Sequence, residues 1–174
     1  MLGIITYGSL INTQEIEKLR EHPTHVIPIK LETFKRSFNQ RPAWRKSTGE
    51  HSAVLNVETS AQNWLNAVCY CYTDFDFTTL DDREKGYSRT AVQPDKISYY
   101  QGHNLPELEK VSIYLGKTEY LSNTLLPNPD YLDICLRGAK NWGEDFYYDF
   151  LNTTHINNGI SLHEYLQSSA ETGY

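Results

Sequence analysis

The chain has 174 residues, of which 39% are hydrophobic, and a formal net charge of −6. This composition predicts a folded globular protein and excludes an intrinsically disordered chain, which buries too little apolar surface. The acidic balance, with one short basic stretch at Lys30–Lys46, excludes a general nucleic-acid binder, because phosphate binding needs a broad positive surface. We therefore expect no nucleic-acid partner.

The beginning of the chain and its cysteines bear on where the protein acts. The first residues lack the positive segment and the small-residue cleavage site of a secretory signal, so we expect no signal peptide. No stretch approaches the roughly 18 apolar residues of a membrane span, so we expect no membrane partner. The odd cysteine count, Cys69, Cys71 and Cys135, indicates reduced thiols and a cytoplasmic protein. Since Cys69 and Cys71 would share one face of a strand, we expect buried structural thiols rather than a redox or metal site.

The first half of the chain predicts mostly strands. Leu2–Tyr7 is typical of a buried strand that Gly8 and Ser9 end, and Asn12 is placed to cap a short helix after it. Further strand candidates are 25–38, 52–57 and 65–72, with a polar turn at 60–63 joining the last two.

The second half adds a mid-chain helix and then more helices at its end. Residues 74–85 predict a helix capped by Asp74 or Asp76, with Gly86 just beyond its end. Strands are predicted at 87–92, 97–100 and 111–115, and helices after Pro129, around 146–151, and after a capping box of Ser161 with Glu164. Strands first and helices last favour the α+β class, with a largely antiparallel sheet or barrel. No linker divides the chain, so we expect one domain over 1–174.

Two short segments could carry chemistry. Tyr7–Leu10 follows the first strand, and a strand that ends at a Gly-Ser turn exposes backbone N–H groups that can hold an anion. An ordinary turn explains the same letters. Glu84 lies near the end of the mid-chain helix, where the dipole raises a carboxyl pKa and suits it to general acid/base work. Charge pattern alone favours a different interpretation, a solvated charge run with Arg83, Lys85 and Arg89 as surface partners.

Taken together, three segments resemble the γ-glutamylcyclotransferase superfamily, which includes the γ-glutamylamine and glutathione-specific branches. They are YGSL after the first strand, LDDREKGYSR near mid-chain and PNPDYLDICLRGAKNWG near the end, in that order. The resemblance spans about residues 4–143 and leaves 144–174 as a C-terminal helical extension. It implies an α+β fold with a mixed, largely antiparallel small β-barrel flanked by helices.

The resemblance also implies roles for individual residues. Glu84 matches the catalytic glutamate, and the substrate-binding positions are Tyr7, Gly8, Ser9, Leu10, Tyr87, Arg89 and Tyr120. Leu10 stands where many members have asparagine, and Lys85 stands where glycine often follows the glutamate, which leaves the identity of the substrate open.

The implied reaction is the cyclisation of a γ-glutamyl group to 5-oxoproline with release of an amine or amino acid. It needs no metal or organic cofactor, and the protein would be a monomer or a homodimer. Two alternatives stay open at this point. One is a non-catalytic protein of the same fold that binds a small metabolite; the other is a protein-interaction module that uses the Lys30–Lys46 stretch around Trp44.

Overall fold

The computed structural model describes residues 1–18, 22–43, 49–104, 106–156 and 159–171. The strands are β1 (Leu2–Thr6), β2 (His25–Gln40), β3 (His51–Tyr72), β4 (Tyr87–Ala91), β5 (Ile97–Tyr99), β6 (Lys110–Gly116), β7 (Leu126–Pro127) and β8 (Thr154–Ile156). The α-helices are α1 (Thr13–Ile16), α2 (Phe77–Arg83), α3 (Pro129–Asn141), α4 (Glu144–Thr153) and α5 (Leu162–Glu171). Among these residues, no helix has the length and apolar character needed to cross a membrane.

One mixed sheet contains all the strands. Its main order is β4-β6-β1-β3-β2-β5, with β7 paired to β3 and β8 paired to β2. The pairs β1/β3, β2/β3, β2/β5 and β4/β6 are antiparallel, whereas β1/β6, β2/β8 and β3/β7 are parallel. The expected α+β class with a mixed, largely antiparallel sheet is confirmed.

The expected closed barrel is wrong, because the sheet is open with β4 and β5 at its edges. Closure would require these two short strands to pair, and within the described residues they do not. The long β2–β3 hairpin changes register between Glu32 and Phe34, and its far halves pair with β7 and β8 instead of completing a ring.

The polar segment 60–63 is not a hairpin turn, and β3 is one continuous strand of 22 residues. The cross-strand register jumps from Phe34↔Thr59 to Glu32↔Trp64, so the intervening polar residues have no partner on β2. The polar letters therefore mark an interruption of strand pairing and not a change of direction.

Helix caps follow the sequence closely. The Asn12 side chain accepts a hydrogen bond from Gln14 N, and Asp76, not Asp74, caps α2 by accepting from Thr78 N. Ser161 and Glu164 form the expected capping box at the start of α5.

The helices and the sheet share one hydrophobic core. Phe146 and Phe150 of α4 are fully buried in it, as are the three cysteines, so the expectation of buried thiols is confirmed. The Sγ atoms of Cys69 and Cys71 are 4.0 Å apart on one face of β3.

Gly138 lets α3 lie directly against the segment that follows β1. A Cβ at this position would meet the backbone N of Asn12 at 2.7 Å and its Cα at 2.9 Å, and backbone cannot move aside cheaply. We expect Gly138→Ala to lower the free energy of unfolding by about 1–3 kcal/mol, measured by urea denaturation. Arg137→Ala on the exposed side of the same helix is the control and should change it by less than about 0.5 kcal/mol. Equal stability of the two variants would contradict this packing.

Candidate active site

The segment after β1 lines a cavity and forms a turn in which some backbone N–H groups are left without a protein acceptor. Residues 9–11 form a 3₁₀ turn closed by the hydrogen bond from Ile11 N to Gly8 O, at 3.0 Å. Ser9 N donates to the Tyr131 hydroxyl at 3.3 Å. Within the described part of the chain, Gly8 N and Leu10 N have no hydrogen-bond acceptor. The turn therefore keeps donors available for an anionic group.

Glu84 is held at the end of α2 by its backbone on both sides. Glu84 N donates to Leu80 O at 2.9 Å, and Glu84 O accepts from Tyr87 N at 2.8 Å, which closes a tight turn. Gly86, inside that turn, has its carbonyl fixed by Gln40 Nε2 and by the backbone N of Lys117, both at 2.9 Å. The carboxylate is thus carried on a turn with little freedom.

The two segments line the same cavity. Its inner part has a volume of about 50 Å³, and an adjoining outer hollow that shares four of its lining residues has a volume of about 600 Å³. The inner lining consists of Ile4, Ile5, Thr6, Tyr7, Gly8, Ser9, Leu10, Leu55, Leu80, Glu84, Tyr87, Tyr114 and Tyr131. Four residues line both parts and so mark where the two adjoin: Ser9, Glu84, Tyr87 and Tyr131.

Burial sets the acidity of Glu84. The side chain is only 20% exposed, and burial, which disfavours the charged form, raises the pKa of the carboxyl above its ordinary value. The neighbouring guanidinium of Arg83, with Nε 3.6 Å from Glu84 Oε1, opposes this and lowers the pKa. The raised pKa that the sequence predicted is confirmed in direction, with burial as its main cause.

Removing the Arg83 charge should raise the pKa of Glu84 further. In Arg83→Gln, burial would act unopposed by that cation, so the pKa of Glu84 should rise and the acid limb of a pH–rate profile should move to higher pH. The profile of 5-oxoproline release from a γ-glutamyl dipeptide measures the shift. Arg137→Gln, which removes an exposed cation from α3, serves as control and should leave the limb in place. A limb that stays where it is in Arg83→Gln would show that Arg83 does not act on the carboxyl.

Comparison with known proteins identifies the fold. No protein-family model and no curated protein matches the chain. Among solved structures, one described as gamma-glutamyl cyclotransferase has a TM-score of 0.63 at 18% identity, with 99% of both chains covered. The chain has the γ-glutamyl cyclotransferase fold.

Two further structures share the cyclotransferase fold. An uncharacterized protein from Homo sapiens has a TM-score of 0.62 at 20% identity, covering 84% of this chain and 83% of the human one. YkqA from Bacillus subtilis has a TM-score of 0.58 at 14% identity, covering 80% of this chain and 48% of that chain. At these identities the likeness extends to the fold, as the sequence resemblance implied.

On this fold, six of the eight sequence-predicted site residues lie together. Tyr7, Gly8, Ser9, Leu10, Glu84 and Tyr87 all line the inner cavity. Arg89 does not, because its guanidinium binds both carboxylate oxygens of Asp81 and stacks 3.9 Å from the Phe77 ring. Tyr120 also lies outside the cavity lining, in a 3₁₀ turn beside Gly86.

Tyr131 is a cavity residue that the sequence interpretation left without a chemical role. It is buried at the start of α3, where its ring packs edge-on against Phe38, and its hydroxyl accepts from Ser9 N. The signal in the sequence is the tyrosine of PNPDYLDICLRGAKNWG, one of the three segments that carry the family resemblance. Burial raises the pKa of Tyr131, as it does for Tyr7 and Tyr87, so these phenols are neutral at physiological pH.

The Lys30–Lys46 stretch is not one continuous basic surface. Arg36 is fully buried, and Lys30 pairs with Asp149 at 3.0 Å. Trp44, Arg45 and Lys46 lie outside the described residues. Arg36 therefore cannot contribute its charge to a protein-interaction surface, which weakens the interaction-module alternative.

Proposed function

We propose that this protein is a γ-glutamyl cyclotransferase, which closes the γ-glutamyl group of its substrate to 5-oxoproline and releases an amine or an amino acid. The observation that carries the proposal is the shared cavity: Glu84, a largely buried carboxylate with a raised pKa, lines the same small space as Gly8 and Leu10, whose backbone donors have no acceptor in the described part of the chain. The fold shared with a gamma-glutamyl cyclotransferase adds to this.

Glu84 would act as the general acid/base. At neutral pH the α-amine of a γ-glutamyl substrate is mostly protonated and cannot attack. Glu84 takes a proton from it, the freed amine attacks the γ-carbonyl carbon, and the bond from that carbon to the departing nitrogen breaks. The α-amine loses two protons in becoming the lactam N–H, and the departing nitrogen gains two in leaving as an ammonium group. Glu84 relays these protons one at a time.

The cavity would supply the rest of the acceleration through position and polarity. Because the attack is intramolecular, holding the amine near the carbonyl removes much of the entropic barrier. The N–H groups of Gly8 and Leu10 would bind the α-carboxylate or the oxyanion that forms at the γ-carbonyl. The outer hollow beyond Glu84 leaves room for the departing portion of the substrate.

A substrate panel tests the proposal. The purified protein would be incubated with γ-glutamyl dipeptides, glutathione and γ-glutamylamines, and 5-oxoproline would be quantified by mass spectrometry. We expect release from at least one of these classes, with the free amine in equal amount. No release from any compound, by a protein shown to be folded, would contradict the proposal.

A further inference from the structure

Arg36 is a fully buried cation within β2. Its guanidinium lies 4.1 Å from the Phe150 ring centre. Its nitrogens donate to Tyr7 O at 3.2 Å, Asn66 O at 2.8 Å, Asn66 Oδ1 at 2.7 Å, Thr154 Oγ1 at 2.8 Å, Thr153 Oγ1 at 3.1 Å and Phe150 O at 3.4 Å. In the described part of the chain, no carboxylate forms an ion pair with it.

Burying a charge without an ion-pair partner costs free energy, because the charge loses its hydration. Apolar residues of similar volume commonly stabilise a fold as well as a buried charge does. Burial lowers the pKa of Arg36 to about 9, so the guanidinium still carries its charge at neutral pH. Packing alone therefore does not account for an arginine at this position, and its hydrogen bonds indicate another role.

One of those contacts reaches the candidate active site. Tyr7 is the residue before Gly8, and its carbonyl accepts from Arg36 Nη1. The described peptides are all trans, and in a trans peptide the C=O and the following N–H point in opposite directions. Holding Tyr7 O against the core therefore turns the Gly8 N–H away from the core, on a segment that lines the cavity.

The charge also acts through this peptide. Hydrogen bonds in a chain polarise one another, most strongly where water is excluded. A cation on Tyr7 O withdraws electron density from the peptide and makes the Gly8 N–H a stronger donor. Gly8 N has no acceptor among the described residues, so the strengthened donor is available to a ligand.

We propose that Arg36 is a positioning residue, which orients and polarises the Tyr7–Gly8 peptide so that the Gly8 N–H binds the anionic group of the substrate. That group is the α-carboxylate or the oxyanion formed at the γ-carbonyl, and the inference rests on the proposed function. Asn66 holds the guanidinium in the required place through its main-chain and side-chain oxygens.

Arg36→Lys tests the inference, because one ammonium group cannot serve Tyr7 O and the other acceptors at once. With the best substrate of the panel, we expect kcat/KM to fall at least ~10-fold. A rise in KM would assign the α-carboxylate to Gly8, and a fall in kcat would assign the oxyanion. Thr154→Val is the matched control: it removes the bond to Nε, leaves the bond to Tyr7, and should keep kcat/KM within about 2-fold of wild type.

A spectroscopic measurement covers the case in which Arg36→Lys fails to fold. In ¹⁵N-labelled wild-type protein, the Gly8 amide resonance should move on titration with 5-oxoproline. Asn66→Asp keeps an acceptor for Arg36 Nη2, but its carboxylate offsets the positive charge of the guanidinium. The Tyr7–Gly8 peptide should then be less polarised, so the Gly8 amide proton of the ligand-free protein should shift upfield and kcat/KM should fall.

The possible failures are distinguishable. A wild-type protein that releases no 5-oxoproline contradicts the proposed function. If the wild type is active but its Gly8 amide resonance does not move on titration with 5-oxoproline, the inference about Arg36 is overturned and the proposed function is not. Folded Arg36→Lys or Asn66→Asp proteins with wild-type kcat/KM would do the same.

Discussion

Glu84→Gln should reduce 5-oxoproline release by at least ~100-fold, the usual scale for a positioned acid/base. The glutamine amide has nearly the shape of the carboxylate but cannot take a proton from the substrate ammonium at neutral pH. The turn that carries residue 84 is fixed by backbone hydrogen bonds, so its position should survive the change. Initial rates with saturating substrate, for wild type and variant side by side, measure the loss.

The stability of the same variant separates a chemical defect from a folding defect. Burial raises the pKa of Glu84 in the folded protein, so the folded state holds this proton more tightly than the unfolded chain. The contribution of Glu84 to stability is therefore present below the unfolded pKa and is lost as the pH rises through the folded pKa. Glutamine does not titrate, so the variant does not lose this contribution. The difference between the Tm of the variant and that of the wild type should therefore change in favour of the variant as the pH rises from about 4 to about 8.

Each outcome for Glu84→Gln has a distinct meaning. An inactive variant that melts at or above the wild-type temperature at pH 8 supports the acid/base role. Undiminished release would exclude Glu84 as the proton carrier. Asp82→Asn is a suitable comparison, because it also changes an acidic side chain at the outer hollow but lies outside the inner cavity, and it should retain most of the activity.

The sequence predicted the parts of the site more readily than their assembly. Gly8 and Glu84 could be singled out because each lies where one element ends, and caps and breaks are local signals. Their proximity depends on the order β4-β6-β1, in which β6 pairs in parallel with β1 and brings the α2–β4 turn beside the end of the first strand. Strand order is set by contacts distant in the chain, and only the family resemblance pointed to it.

Charged residues account for the largest differences between expectation and structure. Arg36 was counted in a basic surface stretch, yet its acceptors come from residues as far along the chain as Thr154. Arg89 is expected at the substrate, yet Asp81, eight residues earlier on α2, binds it at the surface. The local sequence shows that a side chain is charged, but it does not show which distant partner determines whether that side chain points to solvent, to the core or to the substrate.

Gly8→Ala should produce the second large effect, a loss of about 100-fold in kcat/KM, because a small displacement of a positioning segment is enough to misplace the reacting atoms. A Cβ at this position would fall far inside van der Waals contact with the Tyr131 hydroxyl oxygen. Tyr131 is buried and its ring packs against Phe38, so the turn is the part that must move. Kinetics with the best panel substrate, together with a melting curve, measure the effect.

A double variant identifies the clash as the cause. Without the Tyr131 hydroxyl, the nearest neighbours of the new Cβ would be the ring carbon Cζ at 3.6 Å and Leu55 Cβ at 3.7 Å, both ordinary contacts. Tyr131→Phe alone removes the acceptor of Ser9 N and should lower kcat/KM by only about 10-fold. Gly8→Ala combined with Tyr131→Phe should then be no worse than Tyr131→Phe alone, since the two residues interact and their effects do not add. Additive losses would show that Gly8 is required for a reason other than the space that Tyr131 occupies.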